Sequence, residues 1–258
     1  MMTAHLAFVA LLALGQDGGG KQTFKVGETT REGIVVANSK PAPTAGAPLV
    51  IVFHGHGGTA QGVAKRLHLH TLWPEAIVAY LQGIPGVKGI TDAEGRQSGW
   101  QKNPGELDDR DLKFFDVALA DLRKKHTIDP DRIYALGHSN GSRFAHVLWN
   151  QRGDKLAAIC AACGGGGKLI SASPPRSLFM IAGEKDQLVP LKGQLFSVEL
   201  ARKLLQTKPD QTTKTGFLTI EPGTGGLELA TYIHPGGHEF PTEALPHVVR
   251  FFKKHAKK

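Results

Sequence analysis

Short apolar runs alternate with stretches of helical periodicity along most of the chain. The clearest runs are Pro48 to Phe53, Ala76 to Tyr80, Arg132 to Leu136, Leu156 to Cys160, Ser177 to Ala182 and Leu227 to Ile233. Their near-continuous hydrophobicity suits strands covered on both faces, as in a parallel sheet. Between them Leu112, Phe115, Leu119 and Leu122 recur at spacings of three and four and predict a helix over Asp109 to His126. Its acidic start and basic end both suit the helix dipole. Further helices are predicted just after Ser139, from Gly193 to Gln206 and from Pro241 to the C-terminus, and Gln22 to Ala37 suits an antiparallel hairpin at a sheet edge. This succession predicts an α/β fold, a mostly parallel sheet with helices on both faces.

Length and composition add few constraints. The 258 residues contain no Pro/Ser-rich linker and no internal repeat, which favours one domain over residues 16–258. The formal charge is +8, but the basic residues are scattered apart from Lys253, Lys254, Lys257 and Lys258, so no nucleic-acid partner is expected. Residues Ala4 to Gly15 are too short an apolar run to span a bilayer and are followed by Gln16, Asp17 and three glycines. Segment 1–15 is therefore expected to be a signal peptide, with the protein secreted or periplasmic and without a stable membrane anchor. The two cysteines, Cys160 and Cys163, are expected to be small buried residues, because an extended C-x-x-C puts its thiols on opposite faces.

The candidate chemistry begins at Gly137 to Gly141, G-H-S-N-G, where an apolar strand pattern runs straight into G-x-S-x-G and a helical stretch follows. A serine on such a sharp strand-to-helix turn is an exposed nucleophile, and the flanking glycines let the turn close. Serine needs a base, an acid to orient that base, and donors for the oxyanion. Asp186, in G-E-K-D after the Ser177 run, is placed to be the acid, with Glu184 as the alternative. In His234 to Pro241, H-P-G-G-H-E-F-P, His238 follows two glycines and is preferred as base over His234, which ends a strand. The oxyanion donors expected are the backbone N–H groups of Asn140 and of His56 within H-G-H-G-G, residues 54–58. The His54/His56 and His68/His70 pairs lack a third ligand at metal spacing, so no metal and no cofactor is expected. Asp108 to Asp111 are expected to cap the following helix.

Taken together, H-G-H-G-G, Trp100 ahead of D-D-R-D, I-D-P-D-R-I-Y-A-L-G-H-S-N-G-S (Ile128 to Ser142), G-E-K-D and G-G-H-E-F-P resemble the polyhydroxybutyrate depolymerase-like and feruloyl-esterase-like carbohydrate esterases of the α/β-hydrolase superfamily. The resemblance covers about residues 30–252. It implies an α/β-hydrolase fold, a triad of Ser139, Asp186 and His238, an oxyanion hole at His56 and Asn140, and Trp100 lining the substrate pocket. Many depolymerases of this group have cysteine where this chain has His56, and those acting on solid polymer add a linker and a binding domain. The expectation is thus an exported serine hydrolase for soluble short-chain, aromatic or hydroxyalkanoate oligomer esters. Its rivals are a prolyl-oligopeptidase-like peptidase, a thioesterase, a phospholipase and, from another class, a non-catalytic binding protein.

Overall fold

Residues 19–257 are described by the computed structural model. The predicted signal peptide, 1–15, lies outside them. In chain order the elements are β1 (Gly20–Val26), β2 (Thr29–Val36), β3 (Ala47–Phe53), α1 (Ala60–Leu67), α2 (Leu69–Leu72), β4 (Ile77–Leu81), α3 (Arg110–Lys125), β5 (Ile128–His138), α4 (Asn140–Arg152), β6 (Ala158–Ala162), β7 (Ser177–Gly183), α5 (Leu191–Leu205), β8 (Thr213–Thr215), β9 (Leu218–Pro222), β10 (Glu228–His234) and α6 (Leu245–Lys254). One sheet takes the order β1-β2-β4-β3-β5-β6-β7-β10-β9-β8. The strands from β4 to β10 in that order pair in parallel, and both edges are antiparallel.

Strand β3 shows why the centre must be a two-sided sheet. All its residues are buried, and they alternate between two cores: Leu49, Ile51 and Phe53 face one, Val50 and Val52 the other. The first core is covered by α3, α4 and α5 through Leu112, Phe115, Phe144, Leu148 and Val198; the second is covered by α1, α2 and α6 through Leu67, Leu69, Val248 and Phe252. Strand polarity then gathers the loops after β3, β5, β6, β7 and β10 at one edge, where an open parallel sheet holds its ligands.

The predicted strands and main helices are present, with differences that have local causes. Strand β6 begins two residues after the predicted start, so Cys160 is inside it and Cys163 follows in a left-handed turn, φ 52°. Strand β5 starts earlier than predicted, at Ile128. The final helix begins at Leu245 because residues 242–244 form a tighter turn first. Helices α1 and α2 are too short to give a clear period, and β8 is exposed throughout, so all three are hard to read from the sequence.

The acidic stretch before α3 does not cap it as expected. Asp109 is the N-cap residue, yet its side chain makes no bond to the helix; its Oδ1 instead accepts from Gly105 N and Gln101 Nε2. Asp111 is fully buried and accepts from Arg31 Nη2 at 2.9 Å and from Gln101 N at 2.7 Å. The Arg31 guanidinium also lies 4.3 Å from the Phe114 ring centre. Removing one member of a buried pair leaves an unpaired charge, so Asp111→Ala is expected to cost about 3–5 kcal/mol in urea unfolding. Replacing both partners, Arg31→Met with Asp111→Leu, should recover much of that loss; a single-variant cost below about 1 kcal/mol would contradict the assignment.

Candidate active site

Strand β5 delivers Ser139 into a backbone conformation that L-residues avoid, φ 56° and ψ −118°. The two glycines are there for space. A Cβ on Gly137 would lie 2.1 Å from Gly141 O, and one on Gly141 would lie 2.3 Å from Phe53 O. The turn is fixed by Ser139 N–H donating to Ala162 O (2.8 Å) and Arg143 N–H donating to Ser139 O (3.1 Å). Its side chain therefore stands at the N-terminus of α4, above the carboxyl end of the sheet.

Two loops bring His238 and Asp186 to it. The loops after β7 and β10 are joined by Glu184 N–H to His234 O (2.8 Å) and Lys185 N–H to Gly236 O (2.9 Å). Gly183 permits this closeness, since a Cβ there would meet Gly237 O at 2.1 Å. His238 Nε2 then lies 2.8 Å from Ser139 Oγ, and His238 Nδ1 lies 2.8 Å from Asp186 Oδ2. An ionised carboxylate only accepts, so Nδ1 carries the proton and Nε2 presents its lone pair to the serine hydroxyl. Burial opposes ionisation of Asp186, but the Val189 N–H, His238 and the Leu188 N–H outweigh it and hold the pKa below the usual carboxylate value. Gln194 Nε2 adds a further bond to Oδ2 at 3.1 Å. Glu184, the alternative acid, is exposed. His234, the alternative base, is buried, and its Nδ1 accepts from Gly236 N–H at 3.2 Å.

The loop after β3 borders the same cavity. His54 is not a ligand in waiting: its Nδ1 donates to Gly55 O at 2.7 Å while its Nε2 accepts from Gly83 N–H at 2.9 Å. His56 Nε2 donates to Asp92 Oδ2 at 2.9 Å, which tethers the loop to residues 89–97. Asn140 is the first residue of α4, so its N–H has no partner within the helix. Its side chain brackets Trp100, accepting from Trp100 N–H at 2.7 Å and donating to Trp100 O at 2.9 Å.

Trp100 itself does not line the cavity, contrary to expectation. It has no solvent exposure and is stacked 5.4 Å from Phe144 and edge-on to Phe53 at 5.1 Å. Its Nε1 donates to His54 O at 3.0 Å. A large ring with one polar atom is satisfied in the core by one carbonyl, and Trp100 thereby anchors the loop after β3 from beneath.

The cavity beside Ser139 measures about 540 Å³ and is lined by His56, Thr59, Val63, Arg66, Lys88, Ile90, Lys102, Asn140, Arg143, Leu188 and His238, among others. Ile90 and Leu188 are exposed apolar side chains on its walls. Sequence reasoning missed this wall, because Lys88, Lys102 and Arg143 come from separate segments with no motif linking them. It also missed Gln194 and Asp92, whose side chains bond to Asp186 and His56 from separate segments. His138, next to the serine, has its pKa pushed down to about 3 by burial and by the charges of Arg66 and His238.

Among the described residues one group of potential metal donors occurs: ligand atoms of Cys163, Asp186 and His238 all lie within 4.8 Å of one another. The Cys163 thiol does not suit a metal. Burial and the Asp186 charge push the Cys163 thiol up to about 12, and its Sγ donates to Glu239 O at 2.9 Å. Cys160 and Cys163 are both buried and free.

The Asp92 tether gives a pH-dependent outcome. Chiefly the Gln97 N–H, helped by His56 and the Arg96 N–H against the cost of burial, holds Asp92 at about 2 instead of 3.8. A carboxyl with a lower pKa in the fold stabilises it above the unfolded value, and that contribution disappears as pH falls through the folded one. Asp92→Asn is expected to be less stable than wild type at neutral pH, with a gap that narrows from about pH 4 towards about pH 2 in urea melts. A gap that stays constant or widens on acidification would contradict the tether.

Relatives agree with this architecture. No family model matches the chain. The chain is 26% identical over 271 residues to "Putative esterase NocK" of Nocardia uniformis subsp. tsuyamanensis, covering 88% of this chain and 75% of that protein. It is 28% identical over 161 residues to "Feruloyl esterase B" of Piromyces equi, a match that takes in 59% of this chain and 28% of the relative's length. Among solved structures, an acetyl xylan esterase from Aspergillus awamori superposes with a TM-score of 0.67 at 12% identity over 92% of this chain and all of that one. The chain has a single-domain α/β-hydrolase fold, and by sequence it is similar to proteins named as esterases.

Proposed function

We propose that the chain is a carboxylic ester hydrolase working through an acyl-enzyme. Ser139 Oγ attacks the ester carbonyl while His238 Nε2 takes its proton. Asp186 keeps the Nδ1–H tautomer and faces the imidazolium as it forms. The N–H groups of His56 and Asn140 are the oxyanion donors. His238 returns the proton to the departing alcohol, then deprotonates the water that releases the acid. The observation that carries this reading is the unbroken series Ser139 Oγ, His238, Asp186, with 2.8 Å at both steps.

We further propose an exported enzyme acting on soluble esters of short acyl, aromatic or hydroxyalkanoate type. A cavity of about 540 Å³ with apolar Val63, Ile90 and Leu188 suits a small ester. Among the described residues no helix is long and apolar enough to cross a membrane.

Ser139→Ala is expected to lower kcat/KM on a p-nitrophenyl ester by roughly 10³-fold or more while thermal unfolding stays cooperative. His238→Ala should match it, whereas His234→Ala should keep substantial turnover; the reverse pattern would move the base to His234. On substrates, the account expects faster hydrolysis of short p-nitrophenyl esters and methyl ferulate than of a polyester film or a proline-containing amide. Efficient clearing of the film or preferred amide cleavage would overturn the substrate class and leave the triad standing.

A further inference from the structure

Among the described residues four cationic side chains line the cavity around Ser139, Arg66, Lys88, Lys102 and Arg143, and no carboxylate lines it. Elsewhere in the fold, Arg31, Arg132, Arg152 and Arg202 each meet a carboxylate. None of the four cavity cations does so among the described residues. Arg143 is held entirely by neutral acceptors: Nε by Lys102 O at 2.7 Å, Nη1 by Gly166 O at 2.5 Å and Gly165 O at 3.4 Å, and Nη2 by Asn103 Oδ1 at 3.0 Å. These bonds fix the guanidinium without cancelling its charge, and they leave one of its five N–H donors over. Lys102 Nζ donates to Lys88 O at 3.0 Å, which ties the two lysine segments into the same wall.

The nearby carboxylates are committed to other partners. Asp92 holds His56, Asp186 holds His238, and Glu106 accepts from the N–H groups of Lys102 and Asn103. Glu106 does act on Arg143, but one carboxylate stands against three cations on that wall. The cavity thus has a positive potential in a recess partly shielded from water, where charge complementarity acts more strongly than at an open surface.

We propose that this cavity selects esters bearing a second, anionic group, a carboxylate, seated against Lys88, Lys102 and Arg143. The inference rests on the esterase reading and names its substrate class. Arg143 is one helical turn beyond Ser139, so the carboxylate belongs several bonds from the scissile carbonyl instead of beside it. An acid whose ester lies at one end and whose free carboxylate lies at the other fits that spacing.

The test pairs neutral and anionic esters of equal chain length. On the acyl side, monoethyl adipate is compared with ethyl hexanoate; on the alcohol side, 5-acetoxypentanoate is compared with pentyl acetate. In at least one pair the anionic ester is expected to have a kcat/KM about 10-fold higher at low salt, with the ratio shrinking in about 0.5 M NaCl. The ratio is also expected to fall several-fold in Lys88→Gln/Lys102→Gln. Turnover of the neutral esters with no anionic preference in either pair would overturn this inference alone, and so would a preference left undiminished by the double variant. No turnover of any of the four would sink the esterase reading and this inference with it.

Discussion

Ser139 occupies a left-handed backbone conformation that only its surroundings enforce, and the rest of the site is arranged around that constraint. Holding a non-glycine residue there costs on the order of 1–3 kcal/mol. The elements on either side supply the restraint: Tyr134 and Leu136 of β5 are buried in the sheet, and Phe144, Val147 and Leu148 bury α4 against it. The turn closes only because the backbone at Gly141 passes against the end of β3, where a Cβ would overlap Phe53 O and His54 O. That crossing sets the helix N-terminus beside the 54–58 loop, so both proposed oxyanion donors come from segments that the elbow itself brings together.

The histidine depends on a second restraint of different character. Its loop is fastened to the loop carrying Asp186 by backbone bonds that require Gly183 and Gly236 to approach closely. Asp186 accepts from Leu188 N–H and Val189 N–H on Oδ1 and from Gln194 and His238 on Oδ2. A carboxylate held by that many donors cannot rotate away from the imidazole, so the tautomer the proposed base needs is the one the fold imposes. Trp100 plays the corresponding part under the 54–58 loop, where its ring packs on Phe53 and Phe144 and its Nε1 holds His54 O.

The sheet and the sharp turn at Ser139 were legible because both are written in contiguous residues. Pro48 to Phe53 is hydrophobic without a break because both its faces are covered, and G-H-S-N-G carries its glycines at the two positions where a Cβ has no room. The order of Ser139, Asp186 and His238 could be read for the same reason, each lying just after a strand. Trp100 reads as a pocket residue because a lone tryptophan between polar residues gives no sign of which way its ring turns. Asp111 reads as a cap because its partner, Arg31, is 80 positions away. The positive wall was invisible for that reason too: Lys88, Lys102 and Arg143 meet only through backbone carbonyls of distant segments.

The measurement that bears most directly on the account is covalent labelling with an alkyl fluorophosphonate, read by intact mass and peptide mapping. An unactivated serine does not react at a useful rate at neutral pH, whereas one whose proton is drawn by an oriented base does. One adduct per chain, located on Ser139 and absent from His238→Ala, is the result the account predicts. Labelling at another residue, or a folded protein that takes up no label, would contradict it.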